Sequence, residues 1–189
     1  MRTFLKILGV LVLGTMLGLA ATWATVIRGG WGGDVTDGPW KTSLTAGSSE
    51  GGMYQRASVA VHGLLALNRS ETIYYTANTD SAGERLSGAC RYVVTGRDPP
   101  TRWWSITAYG ADDYLIANPA GRYSVSKNSV MRAADGTFRV RVAQGGSGAN
   151  WIPPGSGPFS LSIRLYNPDA KVAADPAHVA LPVITKEGC

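Results

Sequence analysis

The sequence predicts a mainly β protein: an antiparallel β-sandwich or jelly roll with one small soluble helix, preceded by an N-terminal transmembrane helix. Short runs of alternating apolar and polar residues, separated by turn residues, follow one another from residue 71 onward. Glycine and proline account for 24 and 10 of the 189 residues, a proportion that favours a chain with many turns. An uncharged apolar run near the N-terminus is long enough to cross a membrane.

The start of the chain has the pattern of a transmembrane signal anchor. Residues 1–6 carry two positively charged side chains, and residues 7–27 carry no charge. A helix of the latter length spans roughly 31 Å at about 1.5 Å per residue, close to the thickness of the hydrocarbon core. Because the positive charges precede the span, we expect residues 1–6 in the cytoplasm and the rest of the chain outside it. A cleaved signal peptide is the alternative, although its apolar stretch is normally about 7–15 residues long.

Residues 28–42 are rich in glycine and lack periodicity, so we interpret them as a linker that leaves the membrane. Residues 43–189 are then expected to form a single β-sandwich domain. Its one soluble helix is predicted over residues 53–67, with an apolar face formed by Ala57, Ala60, Val61, Leu64 and Leu65. The strands are predicted in six runs, at residues 72–77, 90–96, 102–109, 122–126, 137–143 and 159–166.

Two of these runs alternate strictly, so their buried positions can be predicted. The inward positions are Phe159, Leu161, Ile163 and Leu165 in one run, and Phe138, Val140 and Val142 in the other. Residues 134–136, Ala-Asp-Gly, have the chemistry of a hairpin turn immediately before the second of these strands.

The run at residues 102–109 differs from the others because aromatic residues occur on both of its faces. One face, formed by Trp104, Ile106 and Ala108, is apolar throughout and is predicted to join the core. The other face is mixed and consists of Trp103, Ser105, Thr107 and Tyr109. We interpret this mixed face as the floor of a concave sheet.

The two cysteines, Cys90 and Cys189, are too far apart in sequence for a CxxC redox motif. Together with two distant histidines they do not match a zinc site, and no metal or cofactor is predicted. Outside the cytoplasm the two can form a disulfide, and residues 181–185 could dock as an edge strand that brings them together. Two independent thiols are the alternative.

Six segments occur in the order and approximate spacing of the family called domain of unknown function 1214: DPPTRWWSITAYG, LIANPAGRYSV, DGTFRV, NWIPP, FSLSIRLYNP and LPVI. The chain resembles its short membrane-anchored bacterial branch from about Gly38 to Cys189. The resemblance implies a β-sandwich of jelly-roll type with a small helical element, held by the bacterial inner membrane with the domain in the periplasm. In longer relatives this domain follows another, domain of unknown function 1254.

Catalytic motifs are weak in this chain. Residues 47–51, GSSEG, match the G-x-S-x-G pattern of a nucleophile elbow, but the residues before them make a poor buried strand, and a polar loop is the better interpretation. The later histidines are His62 and His178. Carboxylates that could serve a hydrolase occur at Asp80, Glu84, Asp112, Asp113 and Asp135, but Asp80 and Asp135 lie in turn sequences that favour aspartate for its own hydrogen bonds. No catalytic residue is assigned.

A ligand or partner is expected to contact polar and aromatic residues: Trp103, Arg122, Tyr123, Asn150, Trp151 and Arg164. A guanidinium group beside aromatic rings suits a carboxylate or a sugar. A structural role is the alternative, in which the arginines bridge loops to strand carbonyls and Trp151 closes the core.

We therefore expect a non-catalytic domain that binds an envelope ligand or a partner protein, such as a separate 1254-type protein that contacts Tyr54, Arg56 and Trp103. The alternative is a carbohydrate-active enzyme, or another hydrolase or lyase, that uses turn carboxylates beside an aromatic face. The net charge of +5 comes without a stripe of lysine and arginine, which argues against nucleic acid. Gly14 and Gly18 have the spacing that lets membrane helices approach, so a homo-oligomer is left open.

Overall fold

The structure, a computed structural model, describes residues 2–28, 35–48, 50–61 and 66–189. The helices in these residues are α1 (Arg2–Trp23), continued by a π-helical turn at Ala24–Arg28, α2 (Met53–Val61) and α3 (Ala170–Ala174). The strands are β1 (Val35–Asp37), β2 (Trp40–Thr42), β3 (Thr72–Ala77), β4 (Arg91–Gly96), β5 (Thr101–Gly110), β6 (Ser124–Ser126), β7 (Phe138–Val142), β8 (Trp151–Ile152), β9 (Phe159–Pro168) and β10 (Val183–Gly188).

These strands form two sheets. The six-stranded sheet has the order β1-β2-β3-β9-β5-β6, and the four-stranded sheet has the order β10-β4-β7-β8. Neighbouring strands are antiparallel, except that β7 and β8 are parallel. The two longest strands, β5 and β9, pair over most of their length in the middle of the six-stranded sheet.

The two sheets pack face to face around an apolar core. Trp104 of β5 stacks on Phe138 of β7 with ring centroids 4.8 Å apart, and Tyr92 of β4 meets Phe159 of β9 edge to face at 5.8 Å. All the positions predicted to be buried in the two strictly alternating runs are at most 4% exposed. The β-sandwich is therefore confirmed, whereas its jelly-roll connectivity stays a prediction.

Each of the six predicted strand runs contains a strand: β3, β4, β5, β6, β7 and β9. The predicted hairpin turn before β7 is also present, since Ala133 N–H bonds to the Thr137 carbonyl and Gly136 has a φ of 82°. The five-residue helix α3 was not predicted. Within the described residues the soluble helix ends at Val61, and positions 62–65, which include Leu64 and Leu65, lie outside them.

The predicted linker is wrong for residues 35–42. There, β1 and β2 form a hairpin, and β2 extends the six-stranded sheet by pairing with β3. Gly38, with a φ of 56°, supplies the backbone conformation that the turn needs. The glycines of this segment therefore include turn residues of the domain itself. Residues 29–34 of the predicted linker lie outside the described residues.

The apolar face predicted for the soluble helix does not point into the domain. Ser58 is the buried residue of α2, and Gln55 exchanges hydrogen bonds with two hydroxyl groups of the preceding loop. Of the described residues predicted on the apolar face, Ala60 and Val61 are exposed and Ala57 is half-buried. The side of α2 that meets the domain therefore carries the polar residues Gln55 and Ser58 beside the half-buried Val59.

The N-terminal helix is long and apolar enough, over Arg2–Ile27, to cross a membrane, and a signal sequence would share these properties. Its described side chains are exposed, except that Val26 in the π-helical turn is buried, with 8% exposure, where α2 lies against that turn.

Cys90 and Cys189 form a disulfide, as predicted. The last strand, β10, is the edge strand of the four-stranded sheet and pairs antiparallel with β4. Because Cys90 directly precedes β4 and Cys189 directly follows β10, the strand pairing itself brings the two sulfurs together.

Candidate functional site

The outward-pointing side chains of the six-stranded sheet form a polar and aromatic surface, which we call the outer face. They alternate with the core residues along the strands. The outer face consists of Tyr74 and Thr76 on β3, Ser160, Ser162, Arg164 and Tyr166 on β9, and Trp103, Ser105, Thr107 and Tyr109 on β5. The mixed face that was predicted for β5 alone therefore extends over the three strands β3, β9 and β5. None of the outer-face residues is aliphatic.

Strand register arranges these residues in rows across the sheet. Arg164 lies between Tyr74 and Ser105, and Ser162 lies between Thr76 and Thr107. The hydroxyl oxygens of Thr76 and Ser162 are 3.2 Å apart. The result is a floor of hydroxyl groups with one guanidinium in its middle.

Arg164 is held by hydroxyl and aromatic groups. Its Nη2 donates to the Tyr109 hydroxyl at 2.6 Å, and its Nη1 to Thr107 Oγ1 at 3.4 Å. Its Cζ lies 5.2 Å from the centroid of the Tyr109 ring and 5.8 Å from that of Tyr74, within the range of cation–π attraction. No carboxylate of the described residues forms an ion pair with it. The arrangement leaves a positive charge, already oriented, without a negative partner among the residues that the structure describes.

A pair of aromatic rings borders this charge on one side. The ring of Trp103 meets that of Tyr166 at an angle of 61° with centroids 5.1 Å apart, and both residues are half-buried. Burial raises the pKa of the Tyr166 hydroxyl, the neighbouring Tyr74 and Tyr109 raise it further, and Arg164 opposes them. The Tyr166 hydroxyl is therefore protonated at neutral pH and able to donate a hydrogen bond.

A pocket of about 460 Å³ opens beside the outer face, at the end where β5 finishes and β9 starts. Ser160 of the outer face is part of its wall, together with Lys41 and Arg85. No described residue forms a hydrogen bond or an ion pair with either of these two cationic side chains, whereas Asp113, also in the wall, does have a partner. The pocket thus adds two cationic side chains at the Ser160 end of the outer face.

Arg122 and Tyr123, which were predicted to be near a ligand, precede the edge strand β6 and are not on the outer face. The Arg122 guanidinium donates to the carbonyl of Gly148 at 2.6 Å and to that of Ala149. Arg122 therefore bridges a loop, the structural role that was the alternative.

Asn150 and Trp151 also lie away from the outer face, at the start of β8 in the four-stranded sheet. Asn150 accepts a hydrogen bond from the backbone of Met131 and donates one to it, both at 2.7 Å. Trp151 is 9% exposed, and its Nε1 donates to the carbonyl of Ala143 at 2.8 Å. Of the predicted contact residues, the structure brings together Trp103 and Arg164.

Two of the carboxylates proposed for the enzymatic alternative, Asp80 and Asp135, hold turns. Asp80 Oδ1 accepts hydrogen bonds from the amides of Ala82 and Glu84. Asp135 Oδ1 accepts from the hydroxyl and the amide of Thr137, and these bonds hold the pKa of Asp135 below its usual value. In the part of the chain that the structure describes, no group of three or more His, Cys, Asp or Glu residues could hold a metal ion.

The G-x-S-x-G segment places its serine at residue 49, which lies outside the described residues, as does His62. The other histidine of the soluble part, His178, is exposed and lies 2.9 Å from a carboxylate oxygen of Asp175. The hydrogen bond that the protonated ring donates to Asp175, and the negative charge of that carboxylate, raise the pKa of His178.

Tyr74 of the outer face and Lys41 of the adjoining pocket were missed in the sequence analysis. Tyr74 alternates with Ile73 and Tyr75, and this alternation was the available signal for its position. Lys41 could not be found in this way, because its strand lies in the segment interpreted as a linker.

Comparison with known proteins gives a family and a fold. A family model described as "Protein of unknown function (DUF1214)" matches residues 71–170. The crystal structure of the VPA0106 protein from Vibrio parahaemolyticus is similar over 96% of this chain and 45% of that chain, with 21% identity and a TM-score of 0.64, so this chain spans about half its length. A putative uncharacterised protein from Burkholderia cenocepacia matches 89% of this chain and 38% of its own, with 14% identity and a TM-score of 0.43. No curated protein matches the sequence.

Proposed function

The chain belongs to the DUF1214 family, and from that premise we propose that it is a membrane-anchored envelope protein whose non-catalytic β-sandwich binds an acidic partner on the outer face. One observation carries this proposal: Arg164 is fixed between two tyrosine rings and a threonine hydroxyl, and no carboxylate of the described residues neutralises it. A guanidinium in such a setting is oriented to receive a carboxylate with two parallel hydrogen bonds.

The surroundings of Arg164 favour a protein partner over a small ligand. The outer face covers three strands rather than a deep cleft, and Trp103 and Tyr166 supply the rigid aromatic area that is typical of protein interfaces. Buried serine and threonine hydroxyls beside them can bond to a partner's backbone. The pocket that contains Lys41 and Arg85 extends the positive charge, which would steer an acidic surface toward this side of the domain.

We propose a separate 1254-type protein as that partner. In longer relatives of the family, as the sequence resemblance implies, a 1254 domain precedes this domain. More than half of the Vibrio protein lies outside its match to this chain, so in that protein a larger polypeptide accompanies the same fold. Anchoring of both proteins in one membrane would raise their effective concentration, so that a modest affinity would suffice.

The proposed location is the bacterial inner membrane, with a single span and the domain in the periplasm. Two positively charged side chains precede the span, which supports this orientation. We expect an alkaline phosphatase fusion at the C-terminus to be active and membrane-bound. An active but soluble fusion would show that the segment is a cleaved signal sequence, and an inactive one would show the opposite orientation.

Loss of the Arg164 charge is expected to abolish binding of the partner. When a 1254-type protein is co-expressed with the tagged full-length chain, it should co-purify from detergent with the wild type and be lost with Arg164→Gln or Trp103→Asp. Arg139→Gln is the matched control, because Arg139 is an exposed arginine of β7 in the four-stranded sheet and should leave recovery unchanged.

Thermal unfolding of each variant should be measured alongside, so that a folding defect is not mistaken for lost binding. If the wild type elutes as a lone monomer although the 1254-type protein is present, the partner proposal is wrong. The same outer face would then be tested with carboxylate-bearing envelope ligands. The enzymatic alternative lacks a supporting observation, since the turn carboxylates Asp80 and Asp135 are engaged in their own turns.

A further inference from the structure

We propose that α2 lies in the interface between membrane and water, with Met53, Tyr54 and Val61 in contact with lipid. This inference rests on the proposed membrane anchor. It concerns a surface other than the outer face. The helix surface around Tyr54 then contacts the membrane and not the proposed partner protein.

The amphipathic pattern of α2 is inverted with respect to the domain. Its polar residues Gln55 and Ser58 face the protein. At about 100° per residue, Met53, Tyr54, Ala57, Ala60 and Val61 fall within an arc of about 120°; Ala57 is half-buried, and the other four are exposed. Met53, Tyr54 and Val61 have exposed fractions of 78%, 51% and 57%. A helix with its apolar side facing outward requires an apolar environment on that side.

The position of α2 next to the end of the proposed membrane span indicates that this apolar environment is lipid. α2 lies against the π-helical turn that ends the N-terminal helix, and Val26 of that turn is buried there. The uncharged part of the candidate span, residues 7–27, is about 31 Å long at about 1.5 Å per residue, which matches the hydrocarbon thickness of about 30 Å. Its last turn therefore emerges at the membrane surface, and α2 emerges with it.

The lipid surface fits this position better than a protein does, because α2 lies against the turn that ends the exposed apolar helix α1. Whatever surrounds the end of the span also surrounds the helix that touches it. Tyr54 has the amphipathic ring that is enriched at this depth, where one end of the side chain meets lipid and the other meets water. A helix held in the interface would also restrict rotation of the domain about the end of its anchor.

The experiment measures the depth of α2 with nitroxide spin labels. Val61→Cys and Met53→Cys are prepared in separate full-length chains, and Met131→Cys is the matched control, because Met131 is 69% exposed and lies in the loop before β7. The native cysteines are joined in a disulfide, so the introduced thiol takes the label. The proteins are reconstituted in phosphatidylethanolamine–phosphatidylglycerol vesicles, and accessibility to oxygen and to a water-soluble nickel chelate is measured.

Labels at residues 53 and 61 are expected to show an oxygen-to-nickel accessibility ratio several-fold higher than the label at residue 131. Equal ratios at the three positions would overturn the inference. Protection of residues 53 and 61 from both reagents would also overturn it, because a protein contact, such as a second copy of the chain, would then cover α2. Extraction of the vesicles with carbonate separates the two proposals: a chain that is washed off has no anchor, whereas an anchored chain with equal ratios contradicts the lipid contact alone.

Discussion

Replacement of Trp40 by alanine is expected to lower the free energy of unfolding by about 3–5 kcal/mol, the usual cost of truncating a buried tryptophan. Trp40 is 1% exposed in the core, and its Nε1 donates to the carbonyl of Pro182 at 2.7 Å. Pro182 directly precedes β10 of the four-stranded sheet, so this side chain on β2 ties the two sheets together. The alanine variant loses packing in the core and also leaves a buried carbonyl without its donor.

Urea denaturation followed by circular dichroism measures this change. The matched control is Lys41→Ala on the same strand, which removes an exposed side chain and should change the free energy by no more than about 0.5 kcal/mol. Trp40→Phe keeps most of the apolar volume and should show an intermediate loss. If Trp40→Ala is as stable as the wild type, residues 35–42 behave as the linker that the glycine content suggested, and the hairpin does not contribute to the fold.

Composition misled the sequence analysis at this hairpin for a physical reason. Glycine serves both flexible linkers and tight turns, and a window that contains five glycines, Gly29, Gly30, Gly32, Gly33 and Gly38, does not separate the two uses. The burial of Trp40 depends on the end of the chain, more than 140 residues away, which no local pattern encodes. The long strands were predictable because each carries its own alternation, as the run from Phe159 to Leu165 shows.

For the candidate site, too, the sequence predicted the direction of single side chains but not their contacts. Alternation placed Trp103 and Arg164 on outward faces, but the contacts of Arg164 depend on which strands lie beside β9, and that is set by the packing of the whole sheet. Arg122 and Asn150 are also polar residues with an aromatic neighbour in sequence, so the sequence alone does not distinguish them from Arg164. They bond to loop carbonyls instead, because their strands lie elsewhere in the two sheets.

The helix α2 shows a different limit of sequence analysis. A helical pattern at Ala60 and Val61 correctly indicates an apolar face, but it does not indicate whether the domain or another apolar phase covers that face. The usual assumption, that apolar faces turn toward the protein, holds for helices surrounded by water. It fails where a membrane is adjacent, as we propose for this helix, which lies against the turn that contains Val26.

Removal of the disulfide is expected to lower the free energy of unfolding by about 2–5 kcal/mol. The sequence separation between Cys90 and Cys189 is 99 residues, and in the chain-entropy model closing a loop of about this size contributes up to roughly 4.7 kcal/mol. The bond also holds β10 at the edge of the four-stranded sheet, although Ile184, 1% exposed in the core, keeps this strand docked once the chain has folded. The cross-link should therefore act mainly on the unfolded chain, and the native fold should survive without it.

The double variant Cys90→Ala, Cys189→Ala tests this expectation without leaving a free thiol. In urea it should unfold at a lower concentration than the wild type, and its circular dichroism in buffer should be unchanged. A reducing agent is the internal control: it should lower the wild type to the stability of the double variant and leave the variant itself unaffected. Two alkylatable thiols in freshly isolated wild-type protein would contradict the disulfide. A double variant as stable as the oxidised wild type would show that strand pairing between β4 and β10, rather than the cross-link, determines the stability of this edge.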